Sequence, residues 1–318
     1  MSLILTSHAS DRHAVRVEIA SPLVRAFAFS GDRQGWFGRF RFKFVKALFF
    51  AIHQRLGIRA AGRLMLPGGR GLEIDCADTA FLEHARVAHT GRCYEPETTA
   101  LLELLAPWLG TVYYVGTNWG YYAVLLASNP EFRGRIHAFE VNPASFRALE
   151  RVMAEAGFDD VVTAHCFGLS DRAGSVRLSR EKHSVLTKIL PGAASVDEQS
   201  ARVERLDDLV LPTPDLIKLD VEGHETAVLE GGLGLLRRSA PFIIIESAYR
   251  PDDEAAMLRP LQLIEAEDYV FYRLAVCGGR LEASPIRSQD RRALAETIDL
   301  FGVPARRRDL LSTVMAGR

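Results

Sequence analysis

Cysteine is scarce in this chain, and what there is has no pairing pattern. Cys76, Cys93, Cys166 and Cys277 are scattered through 318 residues without a C-x-x-C pair. That argues against a thiolate zinc site and against a disulfide framework, and it suits a reducing cytoplasm. Long apolar runs are also missing. The longest near the N-terminus, 47–52, is far short of the ~20 residues that span a bilayer. The first twenty residues carry His8, Asp11, Arg12, His13, Arg16 and Glu18, so no secretory signal is expected. Charge of one sign is missing as well: the net charge is −1, which gives no global reason to expect nucleic acid as a partner. The dinucleotide fingerprint G-x-G-x-x-G is absent too.

Acidic residues are lacking in one place. None occurs between Asp32 and Glu73, where Arg33, Arg39, Arg41, Lys43, Lys46, Arg55, Arg59, Arg63 and Arg70 are interleaved with Trp36 and six phenylalanines. A basic, aromatic, amphipathic segment can lie on an anionic membrane surface, so peripheral contact at the inner membrane through 33–63 is one reading. The favoured reading is a helix near 36–56 that packs its phenylalanines on the main domain and leaves its basic face in water.

Hydrophobic residues make up 48% of the chain and charged residues 25%, enough apolar material for a full globular core. Residues 1–90 show no βα rhythm. They read as an arm followed by the basic helix and by short strands around Pro67-Gly68-Gly69. A helix is expected over 97–109. From there strands and helices alternate: strands at 111–115, 135–140, 161–166, 215–220, 241–246 and 269–275, and helices at 121–128, from 143, at 225–238 and at 253–266. Asn142 is placed to cap the helix that Pro143 begins. A hairpin is expected over 171–178 around Ala173-Gly174. Residues 181–200 are polar and irregular, the composition of a lid. This alternation means an α/β doubly wound parallel sheet over 91–286, with 287–318 as a helical tail whose Arg306-Arg307-Arg308 run is solvated.

Chemistry gathers at two strand ends. At the first, Val115-Gly116-Thr117-Asn118-Trp119-Gly120 turns strand into helix, and Glu140 ends the next strand. Glycine there allows close backbone approach, free N–H groups line the helix start, and a carboxylate after the second strand can accept both hydroxyls of a ribose. Together these features indicate a nucleoside cofactor, with Gly116, Thr117, Asn118, Gly120, Glu140 and Asn142 as the candidate binding residues. Asn118 stands where the middle glycine of a dinucleotide site would be and would crowd a pyrophosphate. That favours S-adenosylmethionine over NAD. At the second strand end, Asp220, Glu222, His224 and Glu225 arrive within six residues. Asp220 is the first candidate for a base that takes a proton from an acceptor, His224 the second, and Glu222 and Glu225 could orient hydroxyls. A structural alternative stands beside each: Glu225 could cap the helix it begins, and Lys218 could simply pair with an acid. Asp220 and Glu222 suit Mg²⁺ as oxygen ligands, but no dedicated set extends beyond them and no metal is expected. The histidines 84, 89, 137, 165 and 183 lack ligand spacing and read as surface or core residues, with His165 close enough to the third strand's end to touch an adenine.

Several segments then resemble the FkbM-type SAM-dependent methyltransferases. They are Tyr94-Glu95-Pro96-Glu97, Val115 to Tyr122, Phe139-Glu140-Val141-Asn142-Pro143, Leu169 to Gly174, Arg205-Leu206-Asp207-Asp208-Leu209, Ile217 to Glu225 and Val228-Leu229-Glu230-Gly231, with Glu246 on the next strand. The resemblance covers about 93–250. It implies a class I (Rossmann-like) methyltransferase sheet, mostly parallel with a last antiparallel strand, and O-methylation of a hydroxyl, often on a sugar or polyketide. On that basis the expected acceptor is a carbohydrate, glycolipid or similar polyhydroxylated molecule. Gly116, Asn118, Gly120 and Glu140 map onto cofactor positions, and 220–225 onto the acidic motif that faces the acceptor. One position departs from the pattern: where the family usually has aspartate before Val-Gly, this chain has Tyr114. A non-catalytic SAM-fold binding protein is therefore the alternative, ahead of an NAD-linked oxidoreductase.

Overall fold

Apolar strands alternating with helices between 96 and 304, joined at one edge by residues 3–5, build one nine-stranded sheet. In the computed structural model, residues 3–5, 16–19, 61–66, 70–75, 94–179, 189–190, 200–246, 254–277, 280–295, 297 and 299–309 are described. In chain order the elements begin with β1 Leu3–Leu5, β2 Arg16–Ile19, β3 Ala61–Met65, β4 Gly71–Asp75 and α1 Pro96–Leu105. They continue with β5 Thr111–Val115, α2 Tyr121–Ala127, β6 Arg135–Phe139, α3 Pro143–Ala156, β7 Val162–His165, β8 Gly168–Leu169, β9 Gly174–Leu178, β10 Ile189–Leu190 and β11 Ser200–Glu204. Last come β12 Leu216–Leu219, α4 Glu225–Glu230, α5 Leu233–Ser239, β13 Phe242–Glu246, α6 Glu254–Ala266, β14 Tyr269–Cys277, β15 Arg280–Ile286, α7 Arg291–Leu294 and β16 Asp299–Pro304.

Two units divide the chain, Ser10–Pro96 and Met1–Ala9 with Glu97–Arg318. The smaller one holds an antiparallel sheet, β2-β3-β4, in which Leu64, Leu66, Leu72 and Ile74 are buried. The helix expected near 36–56 lies outside the described residues, as does most of 33–63. So do 181–188 and 191–199, the bulk of the expected lid. Among the described residues no helix is long and apolar enough to cross a membrane.

The large sheet runs β1-β15-β14-β16-β13-β12-β5-β6-β7. Strands β7, β6, β5, β12 and β13 are parallel, and β16 is antiparallel to both β13 and β14. Both faces of the parallel strands are covered, which is why they read as nearly continuous apolar runs. On one face Tyr113, Val115, Ile217, Leu219, Ile243 and Ile245 pack with Val228 and Leu229 of α4, Leu236 of α5, and Leu261 and Ile264 of α6. On the other, Val112, Ile136 and Leu216 meet Leu102 of α1 and Ala123 and Leu126 of α2. Each fully buried leucine or isoleucine contributes roughly 1.5–3 kcal/mol. Strand order reverses at β5, between β6 and β12, so the carboxyl ends of β5 and β12 flank the topological switch point where α/β sheets bind ligands.

Four expectations need correction. The helix expected over 225–238 is two helices, broken at Gly231-Gly232. A Cβ at 231 would lie 2.0 Å from the carbonyl oxygen of Ser170, and one at 232 would lie 2.5 Å from Leu206 Cδ2. Asp207 then caps the second helix, accepting from the backbone N–H of Gly234 (3.0 Å) and Leu235 (2.5 Å). The 171–178 segment is not a hairpin, because β9 pairs with β10 and β11 instead. The sheet does not close at 269–275, because β14 continues to Cys277 and turns back as β15. Finally, the described residues of 287–309 are not a helical tail. Leu300, Phe301 and Val303 of β16 are fully buried between β13 and β14. Its arginines are not simply solvated either: Arg306 donates to the carbonyl of Arg237 (3.0 Å) and Arg307 to that of Ser239 (3.3 Å).

Candidate active site

The turn after β5 is built around positive backbone angles, with φ of 83° at Gly116, 51° at Asn118 and 95° at Gly120. The glycines answer to the protein's own packing. A Cβ at 116 would lie 1.8 Å from the carbonyl oxygen of Asp220, and one at 120 would lie 2.5 Å from Leu149 of α3. The loop therefore sits directly against the end of β12. Thr117 is turned inward: it is buried, and its hydroxyl and N–H both donate to the carbonyl of Phe139. Gly116 and Asn118 are the half-buried positions of the turn.

Glu140 follows β6 and is 6% exposed. Its Oε2 accepts from the N–H of Asn118 (2.6 Å) and its Oε1 from that of Asn142 (2.7 Å). The glycine turn and the start of α3 are thus tied to one carboxyl group. Burial pushes that group up to about 7, opposed by the two backbone hydrogen bonds, with the charge of Asp220 adding to the rise. Asn142 spends its side-chain oxygen on the N–H of Ala144 as the cap of α3.

At the end of β12 the sheet register sets Lys218 between Tyr114 on β5 and Ile244 on β13. Lys218 is 2% exposed. Its ammonium bonds Asp220 at 3.0 Å and lies 4.8 Å and 5.5 Å from the ring centroids of Tyr122 and Tyr114. The tyrosine in place of the usual acid therefore offers a π face to a buried cation. Asp220, Glu222 and Glu246 place carboxylate oxygens within 4.8 Å of one another. Glu246, whose cross-strand partner is Asp299, is pushed far above the carboxylate range, first by burial and then by the charge of Asp220 and a hydrogen bond with it. Burial and the neighbouring carboxylates thus favour its protonated form. Asp299 accepts from the hydroxyl of Thr98, which joins the start of α1 to the same strand end.

His224 and Glu225 part company with this cluster. Glu225 is buried, and its Oε1 accepts from the N–H of Gly223 (3.1 Å), so it braces the loop at the start of α4. His224 precedes α4, and its Nε2 lies 2.9 Å from the hydroxyl of Ser170. Burial holds its pKa below the usual histidine value, with Asp171 opposing. His137 and His165 pair through ring nitrogens 3.1 Å apart, and His165 stacks on Phe139. Burial and then His137 lower His165 to about 4, so this pair is a neutral part of the sheet's edge.

Asp220, Glu222 and Glu140 were legible in the sequence, as was Lys218 as a residue that could pair with an acid, which it does with Asp220; Asp299 and the contact of Ser170 with His224 were not. Lys218 had a signal, a lone charge inside an apolar strand. Asp299 had little, because an acid beside Leu-Phe-Gly-Val reads as a loop residue until the strand is seen. Ser170 was visible only as part of a motif.

The domain model described as methyltransferase FkbM domain matches residues 114–273, just over half of the chain. The hexuronic acid methyltransferase AglP of Haloferax volcanii is 28% identical over 155 residues, which are 47% of this chain and 61% of that protein. Among solved structures, methyltransferase FkbM from Methylobacillus flagellatus KT superposes with a TM-score of 0.41 at 18% identity, over 61% of this chain and 43% of that one. The O-methyltransferase TomG of Streptomyces achromogenes gives 0.40 at 16% identity, over 69% and 86%. The chain thus spans less than two thirds of the curated relative and less than half of the first of these structures. With its family model running from Tyr114 at the cation box, through the glycine turn and the acidic strand ends, to β14, the chain belongs to the FkbM methyltransferase domain family.

Proposed function

We propose that this protein transfers a methyl group from S-adenosylmethionine to a hydroxyl of a carbohydrate, glycolipid or similar polyhydroxylated acceptor. The observation that carries the reading is the contact between the two strand ends: Gly116 lies against the backbone of Asp220, so the turn anchored by Glu140 adjoins Asp220, Glu222 and Glu246. Carboxylates beside the turn attract a sulfonium cation and repel a pyrophosphate, which favours S-adenosylmethionine over NAD. Each Glu140 oxygen has accepted one backbone N–H, and its remaining lone pairs can take ribose hydroxyls.

When bound, S-adenosylmethionine supplies an electrophilic methyl on a positively charged sulfur. The residues of the chain have two remaining tasks. One is to hold an acceptor oxygen in line. Asp220 and Glu222 accept hydrogen bonds from sugar hydroxyls, and protonated Glu246 can donate one. The other is to take the hydroxyl proton, for which Asp220 and His224 are the candidates. Asp220 already spends one oxygen on the ammonium of Lys218 at 3.0 Å. His224 is neutral and has a second ring nitrogen, so it is the better base of the two. The relative that acts on a hexuronic acid supports a sugar acceptor, and the basic, aromatic segment 33–63 suits an anionic or membrane-linked one. Free Cys166 and Cys277 accord with a reducing cytoplasm.

Calorimetric titration of S-adenosylmethionine, S-adenosylhomocysteine and NAD tests the cofactor, and methyl transfer to a panel of neutral and uronic glycans tests the acceptor. Tight NAD binding with no response to S-adenosylmethionine overturns the proposal. Cofactor binding with no transfer to any glycan favours a non-catalytic role.

A further inference from the structure

Three motifs far apart in sequence converge on the short helix α4. Asp207 donates its N–H to the carbonyl of Gly231 at the helix's end (2.9 Å). Gly231 has no room for a side chain, because the carbonyl of Ser170 lies where its Cβ would be. Ser170 in turn donates its N–H to Glu204 of β11 (2.9 Å). Its backbone is therefore pinned between a strand and the end of α4, while its side chain reaches the residue just before α4, His224.

Ser170 is 4% exposed, and its hydroxyl has two neighbours: Nε2 of His224 at 2.9 Å and Oδ1 of Asp171 at 3.1 Å. A hydroxyl has one hydrogen to give. Burial raises Asp171, but hydrogen bonds from Arg172 and Ser170 outweigh it and hold the carboxyl below its ordinary value, so it is an ionised acceptor. The serine hydrogen goes to Asp171, because the opposite choice sets two lone-pair-bearing oxygens 3.1 Å apart. Ser170 Oγ can then only accept from His224.

We propose that Ser170 is a positioning residue that fixes the hydrogen of neutral His224 on Nε2 and leaves Nδ1 as the proton-accepting nitrogen. His224 donates to Ser170 and Ser170 to Asp171, while Arg172 donates to Asp171 from the other side, so both donor runs end on the one carboxylate. Among the described residues Nδ1 has no hydrogen-bond partner, so its lone pair is available. The histidine's orientation and tautomer come from a serine rather than directly from a carboxylate. That leaves the negative charge one residue removed, where it raises His224 less than a direct partner would. This inference rests on the reading of His224 as the base in methyl transfer, and it explains why a Leu-Ser-Asp segment on a different sheet belongs to the site.

The test is nitrogen NMR of the full chain with ¹⁵N-labelled histidine, read alongside kinetics. In the unaltered protein near neutral pH, His224 should show a protonated Nε2 and an unprotonated Nδ1. Ser170→Ala should shift the ring toward a tautomer mixture and lower kcat about 10- to 100-fold, part of the 10²–10⁴ that a positioned base supplies. Affinity for S-adenosylmethionine should stay unchanged. Ser170→Thr, which keeps the hydroxyl, should restore the tautomer. A protonated Nδ1 in the unaltered protein, or a tautomer indifferent to Ser170→Ala, overturns the inference. If Ser170→Ala does not fold, the unaltered protein and Asp171→Ala at the half-exposed carboxylate decide: loss of the acceptor should release the serine hydrogen and alter the His224 signal, and an unaltered signal overturns the inference. The functional reading fails separately, if His224→Ala leaves kcat intact while the tautomer is as stated.

Discussion

Two strand ends carry acids at the switch point of this sheet, and they are built in opposite ways. Glu140, after β6, stands alone, nearly enclosed, with each oxygen on a backbone N–H. Asp220, after β12, stands in company: Glu222 and Glu246 within 4.8 Å and one buried ammonium to offset them. Backbone hydrogen bonds hold a carboxyl group in one place at small electrostatic cost. A crowd of carboxyls repels, and the repulsion is relieved by keeping a proton on Glu246. The first arrangement suits a fixed contact to a ligand held the same way in every turnover. The second offers hydrogen-bond acceptors and a donor side by side at one strand end.

Removing the offset should break the second end most severely. Lys218→Met deletes the buried partner of the partly exposed Asp220, and loss of a hydrogen bond to a charged group of this kind costs about 2–3 kcal/mol. Urea unfolding should show that loss. A change under ~0.5 kcal/mol would mean that Asp220 does not depend on Lys218 and that the contrast drawn above is wrong. The first end should respond in binding rather than in folding alone. Glu140→Ala orphans two N–H groups and removes the acceptor for ribose hydroxyls, at about 2 kcal/mol or roughly 30-fold in Kd for S-adenosylmethionine by calorimetry. Unchanged affinity would remove Glu140 from the cofactor site.

Dependence on pH sharpens the contrast. Glu246 is raised from 4.5 to about 9 and Glu140 from 4.5 to about 7. In each case the folded state keeps a proton that the unfolded chain releases, so stability is highest at low pH and falls as pH rises from about 4.5 to the folded value. The fall should end near 7 for Glu140 and continue to about 9 for Glu246. Glu246→Gln should therefore lose less stability than the unaltered protein between pH 5 and pH 8, read as a smaller drop in Tm over that range. A variant that tracks the unaltered protein across that range would show that Glu246 is not holding a proton.

What could be read in advance follows the same division. The five parallel strands, the cap at Asn142 and the two acid ends were legible, because apolar runs, a Pro after an Asn and acids after strands are local signals. The break at Gly231-Gly232 was not, since glycine near a helix end reads as a terminus and only the carbonyl of Ser170 and the side chain of Leu206 show why the helix stops where it does. Strand β16 was also missed. Its neighbours β13 and β14 come earlier in the chain, and a six-residue strand next to three arginines carries a weaker pattern than the charges beside it. Lys218, Asp299 and Ser170 owe their roles to partners 2, 201 and 54 residues away in sequence. Only the first of those lies within reach of a local pattern.

The smallest effect is expected at the most conspicuous departure from the family pattern. Tyr114 is 6% exposed, edge-on to Tyr122 with ring centroids 5.8 Å apart, and under the ammonium of Lys218. If position 114 supplies a π face to the cation, then Tyr114→Phe keeps what matters: the ring, its packing and the attraction to Lys218. Stability should fall by no more than about 1 kcal/mol, the net worth of one hydroxyl hydrogen bond, and cofactor affinity should change less than about threefold. Tyr114→Leu fills similar space without the ring, so it should cost more than Tyr114→Phe by the ~0.5–2 kcal/mol of a cation–π contact. Equal losses in the two variants would show that Lys218 needs only Asp220. Tyr114 would then be packing, and the acid end would have lost its negative charge at 114 without replacement.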